Sequence, residues 1–341
     1  MKFSKKTLIS LFLITISSIL LIYFFIWKTN VKETGRLIIK GNYENSKIVN
    51  NASTFLKNPF TFNVMLTVVS KIRTIKPGSY RLEKGMNNLT ILRILTIGRQ
   101  SPIELTFNNQ DFLEKLAGRF AMEMEFDSIS FLQELKKSDY LKSEGFNKET
   151  VLSVFIPNSY EIYWNITPDK FIQKMLSEYH KFWNQERLEK AKKLNLTPIQ
   201  VQILASIVQK ETALISERPM VAGLYLNRLK ANWPLQADPT VVYSIKLKTH
   251  QDSIIKRVLK KHLLINSPYN TYKNTGLPPG LISMPDISSI EAVLNAPKHN
   301  YFYMCASSEN IGSHLFATTL AEHNRNAFKY QKWLNNQGIK K

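Results

Sequence analysis

A single carboxylate, Glu211, falls among aliphatic residues in the segment IQVQILASIVQKETALI (Ile199–Ile215). At about 100° per residue on a helical wheel, Ile199, Ile203, Leu204, Ile207 and Leu214 share one stripe. Glu211 lies inside that stripe, one turn after Ile207, and Gln209 points away from it. A carboxyl group held against an apolar face loses hydration, and desolvation raises its pKa. An acid still protonated near neutral pH can protonate a leaving oxygen, as glycosidic cleavage requires. The same position also suits a buried carboxylate paired with Arg218 or Arg228 to tie two helices together. The wheel alone leaves both readings open.

The residues that follow offer groups suited to sugars. They include Pro234-Leu235-Gln236-Ala237-Asp238-Pro239-Thr240, then Val241-Val242-Tyr243, then Ser267-Pro268-Tyr269-Asn270-Thr271-Tyr272 and Gly276-Leu277-Pro278-Pro279-Gly280. Amides bond hydroxyl and acetamido groups, and aromatic faces with polar tips pack on pyranose surfaces. Rigid Pro-Gly loops closing a core would use the same residue types. Asp238 stands before Pro239, where an Asp often fixes a turn. His314 and His323 read as structural histidines. No H-E-x-x-H spacing occurs, so neither metal nor other cofactor is expected. The single cysteine, Cys305, excludes an intrachain disulfide, and its apolar run Tyr301–Ala306 reads as a buried strand.

Several elements must position these groups. Thr197 is a good N-cap and Pro198 fits the first helical position, so the Glu211 helix starts there. Ser216-Glu217-Arg218-Pro219 restarts a helix through MVAGLYLNRLK, where Asn227 and Arg228 supply donors. Upstream, Arg36–Lys40 and Ile103–Phe107 read as strands, and Lys76–Leu82 as a turn entering a strand. Leu89–Leu95 reads as a helix closed by Gly98. Helices are expected over Gln110–Tyr140 and Pro168–Lys193, with Phe155–Glu161 an irregular polar and aromatic loop between them. The fold class is therefore α+β.

Thr7–Trp27 is an uninterrupted uncharged stretch, long enough to cross a bilayer as a helix. Lys2, Lys5 and Lys6 before it favour a cytoplasmic N-terminus. A cleaved signal peptide would have a shorter apolar core ending in small residues, whereas no alanine occurs before Ala52. An uncleaved anchor bearing an extracytoplasmic body is expected. The 341 residues are 44% hydrophobic and 21% charged, an ordinary globular composition. The formal net charge of +20 attracts polyanions. Export makes nucleic acid an improbable partner and leaves anionic lipid or wall polymer.

ASIVQKET (Ala205–Thr212), SERPMVAGLYLNRL (Ser216–Leu229), LQADPTVVY (Leu235–Tyr243), SPYNTY, GLPPG and SHLFATTLAEHN (Ser313–Asn324) occur in order. Together they resemble the endolytic murein transglycosylases of the MltG, or YceG-like, family. IPNSYEIYW (Ile156–Trp164) resembles that family's PDTYEIYW-type loop, and Lys76–Phe107 resembles its LysM-like module. The resemblance implies a cytoplasmic tail (1–6), an anchor (7–27), a LysM-like module (35–108), a helical connection (109–155) and a catalytic domain (156–341). It implies cleavage of the β-1,4 bond between N-acetylmuramic acid and N-acetylglucosamine in nascent peptidoglycan strands. The muramyl 6-hydroxyl attacks its own anomeric carbon, leaving a 1,6-anhydro end, so the reaction is that of a lyase. Glu211 is the implied acid/base. Gln236, Asp238, Thr240, Tyr243, Tyr269, Asn270 and Tyr272 are implied to line the sugar cleft. Peptidoglycan synthases are implied neighbours in the bacterial cell membrane.

Two departures matter. Many members read E-K-E where this chain reads Gln209-Lys210-Glu211, so the second position must carry any acid chemistry. Asn158 and Ser159 replace the usual Asp-Thr of the upstream loop, which puts an acidic role there in doubt. Two other readings compete: a hydrolytic muramidase with Asp238 acting beside Glu211, and a non-enzymatic wall-binding scaffold.

Overall fold

The computed structural model describes residues 4–249, 255 and 257–337. It begins with α1 (Lys5–Ile26), capped by the Ser4 hydroxyl, which accepts the Thr7 N–H at 3.2 Å. No residue of α1 is buried, and the helix is long and apolar enough to cross a membrane.

The rest divides into two compact units that interleave along the chain. The first comprises residues up to Leu105 with Phe120–Asp127 and Ser159–Thr167. In it, β1 (Gly35–Ile39) is followed by α2 (Asn45–Ser53) and α3 (Pro59–Ser70). Next come β2 (Gly78–Leu82) and α4 (Asn88–Ile97). β1 and β2 pair antiparallel, with Leu37 opposite Tyr80. Their inward residues Leu37, Ile39, Tyr80 and Leu82 join Phe62, Leu66 and Ile91 in one apolar core. Gly98 ends α4 in the left-handed conformation at φ 78°, its N–H bonding Ile94 O. Asn88 ties the base of α1 to this unit by donating to Phe25 O at 2.8 Å.

β3 (Ile103–Phe107) follows, then α5 (Leu113–Glu123), α6 (Ser128–Lys137), α7 (Asp139–Ser143) and β4 (Asn158–Ile162). β4 pairs with β3, so the second half of the segment expected as an irregular loop, from Asn158 onward, is in fact strand, while residues 155–157 are irregular. Cross-strand hydrogen bonds, which depend on a partner far away in sequence, override the weak local preference of Asn-Ser.

The second unit comprises Thr106–Arg119, Ser128–Asn158 and everything from Pro168 onward. It contains α8 (Pro168–Phe182), α9 (Gln185–Lys193), α10 (Pro198–Glu211), α11 (Arg218–Lys230), α12 (Asp238–Lys248) and α13 (Ile287–Leu294). An antiparallel hairpin, β5 (Tyr303–Ala306) with β6 (His314–Ala317), and α14 (Leu320–Asn336) complete it. Cys305 lies on β5, half-buried.

The unit is organised around α10, which packs against α11, α12 and α13. All eight residues from Val201 to Val208 are buried. The expected single stripe is therefore too narrow, because α10 is enclosed on all sides and has no solvent face in its middle. Leu214, assigned to that stripe, lies beyond the helix and is exposed. The chain turns extended at Thr212, whose hydroxyl accepts the Leu214 N–H at 3.1 Å.

Candidate active site

A reciprocal capping box fixes the start of α10. Thr197 Oγ1 accepts the Gln200 N–H at 3.2 Å, and Gln200 Oε1 accepts the Thr197 N–H at 2.8 Å. Its last residue is Glu211, where the helix dipole itself disfavours a negative charge. The residue is half-buried, but Oε2 has no accessible surface and no hydrogen-bond partner. Burial is the largest influence on this carboxyl and pushes its pKa up to about 7. The neighbouring charges of His314 and Arg228 pull the other way, and that of Asp238 adds to the rise.

The helix-tying alternative fails on the partners of the two arginines. Arg218 is buried and donates through Nη1 to both carboxylate oxygens of Asp286, at 2.9 and 2.8 Å, and to Ser288 Oγ at 2.6 Å. Arg228 donates to the carbonyls of Phe302 and Leu235. Glu211 has an ion pair with neither.

Glu211 opens on a cleft of about 410 Å³ in the second unit, which Lys210, Asp238, Tyr243, Lys246 and Asp111 also line. Asp111 bridges two lysines, Oδ1 to Lys210 Nζ at 2.6 Å and Oδ2 to Lys246 Nζ at 2.9 Å. Burial alone would raise the Asp111 pKa, but the two ammonium groups outweigh it and hold the carboxyl ionised. Asp238 begins α12 and accepts the Tyr272 hydroxyl at 2.6 Å. What reads as loop in Leu235–Tyr243 is therefore a helix from Asp238 onward.

Tyr243 stacks on Phe112 at 5.2 Å between centroids and leans on Tyr269 at 4.8 Å. Gln236 is exposed and left-handed at φ 50°, a conformation costly for a residue with a side chain. Its N–H bonds Thr271 O at 3.1 Å, which fastens this bend to the 267–272 loop. Two other candidates turn inward. Thr240 is fully buried, its hydroxyl on Ala237 O at 2.7 Å and against Thr271 Oγ1 at 2.8 Å. Asn270 is fully buried and donates to the carbonyls of Leu263 and Ile265, both at 2.9 Å. These two side chains shape the loops. Asp238, Tyr243 and Glu211 face the cleft itself.

His314, on β6, is clamped by Glu217, whose oxygens meet the His314 N–H at 2.6 Å and Nδ1 at 2.8 Å. His323 stacks on Tyr303 at 5.5 Å. Burial, and then the charge of Arg228, lower its pKa. Gly280 lets the GLPPG turn pass the chain at Glu149, whose carbonyl oxygen would lie 2.1 Å from an added Cβ.

Gln209 is used elsewhere. Its Oε1 accepts the Asp286 N–H at 2.6 Å and the Ser289 hydroxyl at 3.2 Å, holding the start of α13. A glutamate there would keep both acceptor contacts and lose only the long donor contact from Nε2 to Met284 O, at 3.4 Å. Gln209→Glu is therefore expected to leave the rate of glycan cleavage within about threefold of wild type, as read by release of soluble fragments.

Sequence reading missed Tyr225 and Asp111. Tyr225 is the one hydroxyl-bearing side chain of VAGLYL on α11, and that irregularity was its only signal. Asp111 has no local signal, because its lysine partners lie far along the chain.

The model of the YceG-like family matches residues 38–329. The chain belongs to the YceG-like family. Among relatives of this YceG-like chain is a Bacillus subtilis protein named endolytic murein transglycosylase, 34% identical over 269 residues. That alignment covers 74% of this chain and 72% of the relative. A Streptococcus pneumoniae protein of the same name is 26% identical over 75% of this chain but only 51% of its own length. A solved YceG-like protein from Listeria monocytogenes superposes with a TM-score of 0.56 at 25% identity, covering 86% of this chain and 98% of the other.

Proposed function

We propose that this YceG-like chain is an endolytic murein transglycosylase with Glu211 as its acid/base. The observation that carries the reading is the carboxyl itself. Burial pushes the pKa of the Glu211 carboxyl up to about 7, so part of it stays protonated at neutral pH; it faces a cleft and forms no ion pair among the described residues. The names of the aligned relatives support the substrate, the peptidoglycan glycan strand.

The reaction follows from one proton donor and one internal nucleophile. Glu211 protonates the oxygen linking N-acetylmuramic acid to the next N-acetylglucosamine, and that C–O bond breaks. The resulting carboxylate removes the proton from the muramyl 6-hydroxyl, whose oxygen closes on the anomeric carbon. No water is consumed, so no second carboxylate is needed. Asp238, held by Tyr272, is assigned to shaping the cleft, with Gln236, Tyr243 and Tyr269 supplying amide and aromatic surface. Thr240 and Asn270 act by holding the loops that present them.

α1 tethers the enzyme to the cell membrane, with Lys2, Lys5 and Lys6 on the cytoplasmic side and the catalytic unit outside. The small α+β unit that follows is assigned as the LysM-like module, beside which synthases would deliver new strands. Incubating the full-length chain with long glycan strands tests this reading. An endolytic enzyme shortens the whole size distribution at once, and a scaffold leaves it unchanged.

The proton on Glu211 also sets a pH dependence. The acid form exists below the pKa, so kcat/KM is expected to fall as pH rises through about 7. A profile flat from pH 5 to 9 would contradict the assignment of the acid.

A further inference from the structure

Among the described residues of the second unit, four buried polar side-chain atoms lack hydrogen-bond partners: Glu211 Oε2, Arg218 Nε, the Tyr225 hydroxyl and His323 Nδ1. Two of them belong to neighbouring side chains. One is Glu211 Oε2 and the other is the Tyr225 hydroxyl. Tyr225 sits on α11 and is 1% exposed. Its hydroxyl lies close enough to the Glu211 carboxyl to draw the Glu211 pKa down, yet the resting geometry falls short of a formed hydrogen bond. An orphaned buried hydroxyl costs stability, and most native structures avoid it.

We infer that Tyr225 is a positioning residue whose hydroxyl is reserved for the ionised form of Glu211. This rests on Glu211 being the acid. While Glu211 holds its proton, Oε2 is a weak, neutral acceptor and the pair stays unbonded. Once the proton leaves for the glycosidic oxygen, the buried Oε2 becomes a charged acceptor. The Tyr225 O–H then swings onto it, and a charge-assisted bond forms only after the transfer has begun. An interaction stronger in the transition state than in the ground state lowers the barrier. The other groups facing the pair are His314 from β6, Asp238 from α12, Arg228 from α11 and Tyr272 from the 267–272 loop. Of these, Arg228 already donates to two carbonyls, His314 is held by Glu217, and Tyr272 is bonded to Asp238. Tyr225 is the uncommitted donor.

The test is Tyr225→Phe in the full-length enzyme, with glycan cleavage measured against pH and unfolding followed by heat. The expected result is a kcat about ten- to a hundredfold lower, with the alkaline limb of kcat/KM displaced upward by about one unit. Thermal stability should be unchanged or higher, since the hydroxyl makes no bond at rest. Wild-type kcat with an unmoved limb overturns the inference. So does a loss of activity that tracks a loss of folding, because the hydroxyl would then be structural. Glu211→Gln, run alongside, separates the two claims. If that variant cleaves normally, the acid assignment itself falls; if it is inactive while Tyr225→Phe matches wild type, only the role of Tyr225 falls.

Discussion

Replacing Glu211 with glutamine is expected to lower glycan cleavage by about three to four orders of magnitude while leaving the fold intact. The amide keeps the shape of the carboxyl but cannot donate a proton to the leaving oxygen. The same substitution should stabilise the protein in alkali. The carboxyl's folded pKa, about 7, lies above its ordinary value of 4.5. A raised pKa means that the fold favours the protonated form. The associated stability is fully present below pH 4.5 and is lost as pH rises through about 7. Glutamine has no such transition. Its advantage over wild type should therefore grow across that interval and level off at about 3 kcal/mol. Thermal unfolding of both proteins at pH 4 and pH 8.5 reads the difference. Equal stability at both pH values would mean that the carboxyl is not desolvated.

The largest structural effect is expected at Asp286, far from any sugar chemistry. Asp286 does two jobs: it accepts Arg218 through both oxygens, and it caps α13 by accepting the Ser289 N–H at 2.8 Å. Arg218 has only 8% of its side chain exposed. Asp286→Ala would strand that buried cation and uncap the helix, costing about 3–4 kcal/mol. For a unit of this size, such a loss lowers Tm by roughly 6–16 °C. Asp286→Ala combined with Arg218→Met should recover part of it, because the cation is gone. Burial opposes ionisation of Asp286, but Arg218 and the Ser288 and Ser289 donors outweigh it and lower its pKa. The contribution is present above the ordinary Asp range and vanishes as pH falls through the depressed value. The gap between wild type and Asp286→Ala should therefore close in strong acid. A gap that persists there would mean that the ion pair is not its source.

The parts of this architecture legible in the sequence are those written locally. Thr197-Pro198 announces the start of α10, Gly98 the end of α4, and Thr7–Trp27 a helix able to cross a bilayer. Glu211 stood out because one acid among aliphatic residues is a local anomaly. Features that depend on distant partners were not legible. β4 is held by β3, from the other side of three helices, so Asn158–Ile162 reads as loop until the two are paired. α10 is surrounded by α11, α12 and α13, which erases the polar face that a wheel needs. The cleft candidates divide on the same ground. Thr240 and Asn270 have the chemistry of sugar ligands, yet Thr240 spends it on Ala237 O and Thr271, and Asn270 on the carbonyls of Leu263 and Ile265. Asp111 reaches the cleft only because two lysines converge on it.

The central claim is that Glu211 drives an intramolecular attack rather than hydrolysis. Mass analysis of the new ends made when the full-length chain digests glycan strands tests it most directly. The expected result is 1,6-anhydro-muramyl ends, one water lighter than hydrolytic products, from wild type and none from Glu211→Gln. Reducing muramyl ends, or anhydro ends formed equally well by Glu211→Gln, would contradict it.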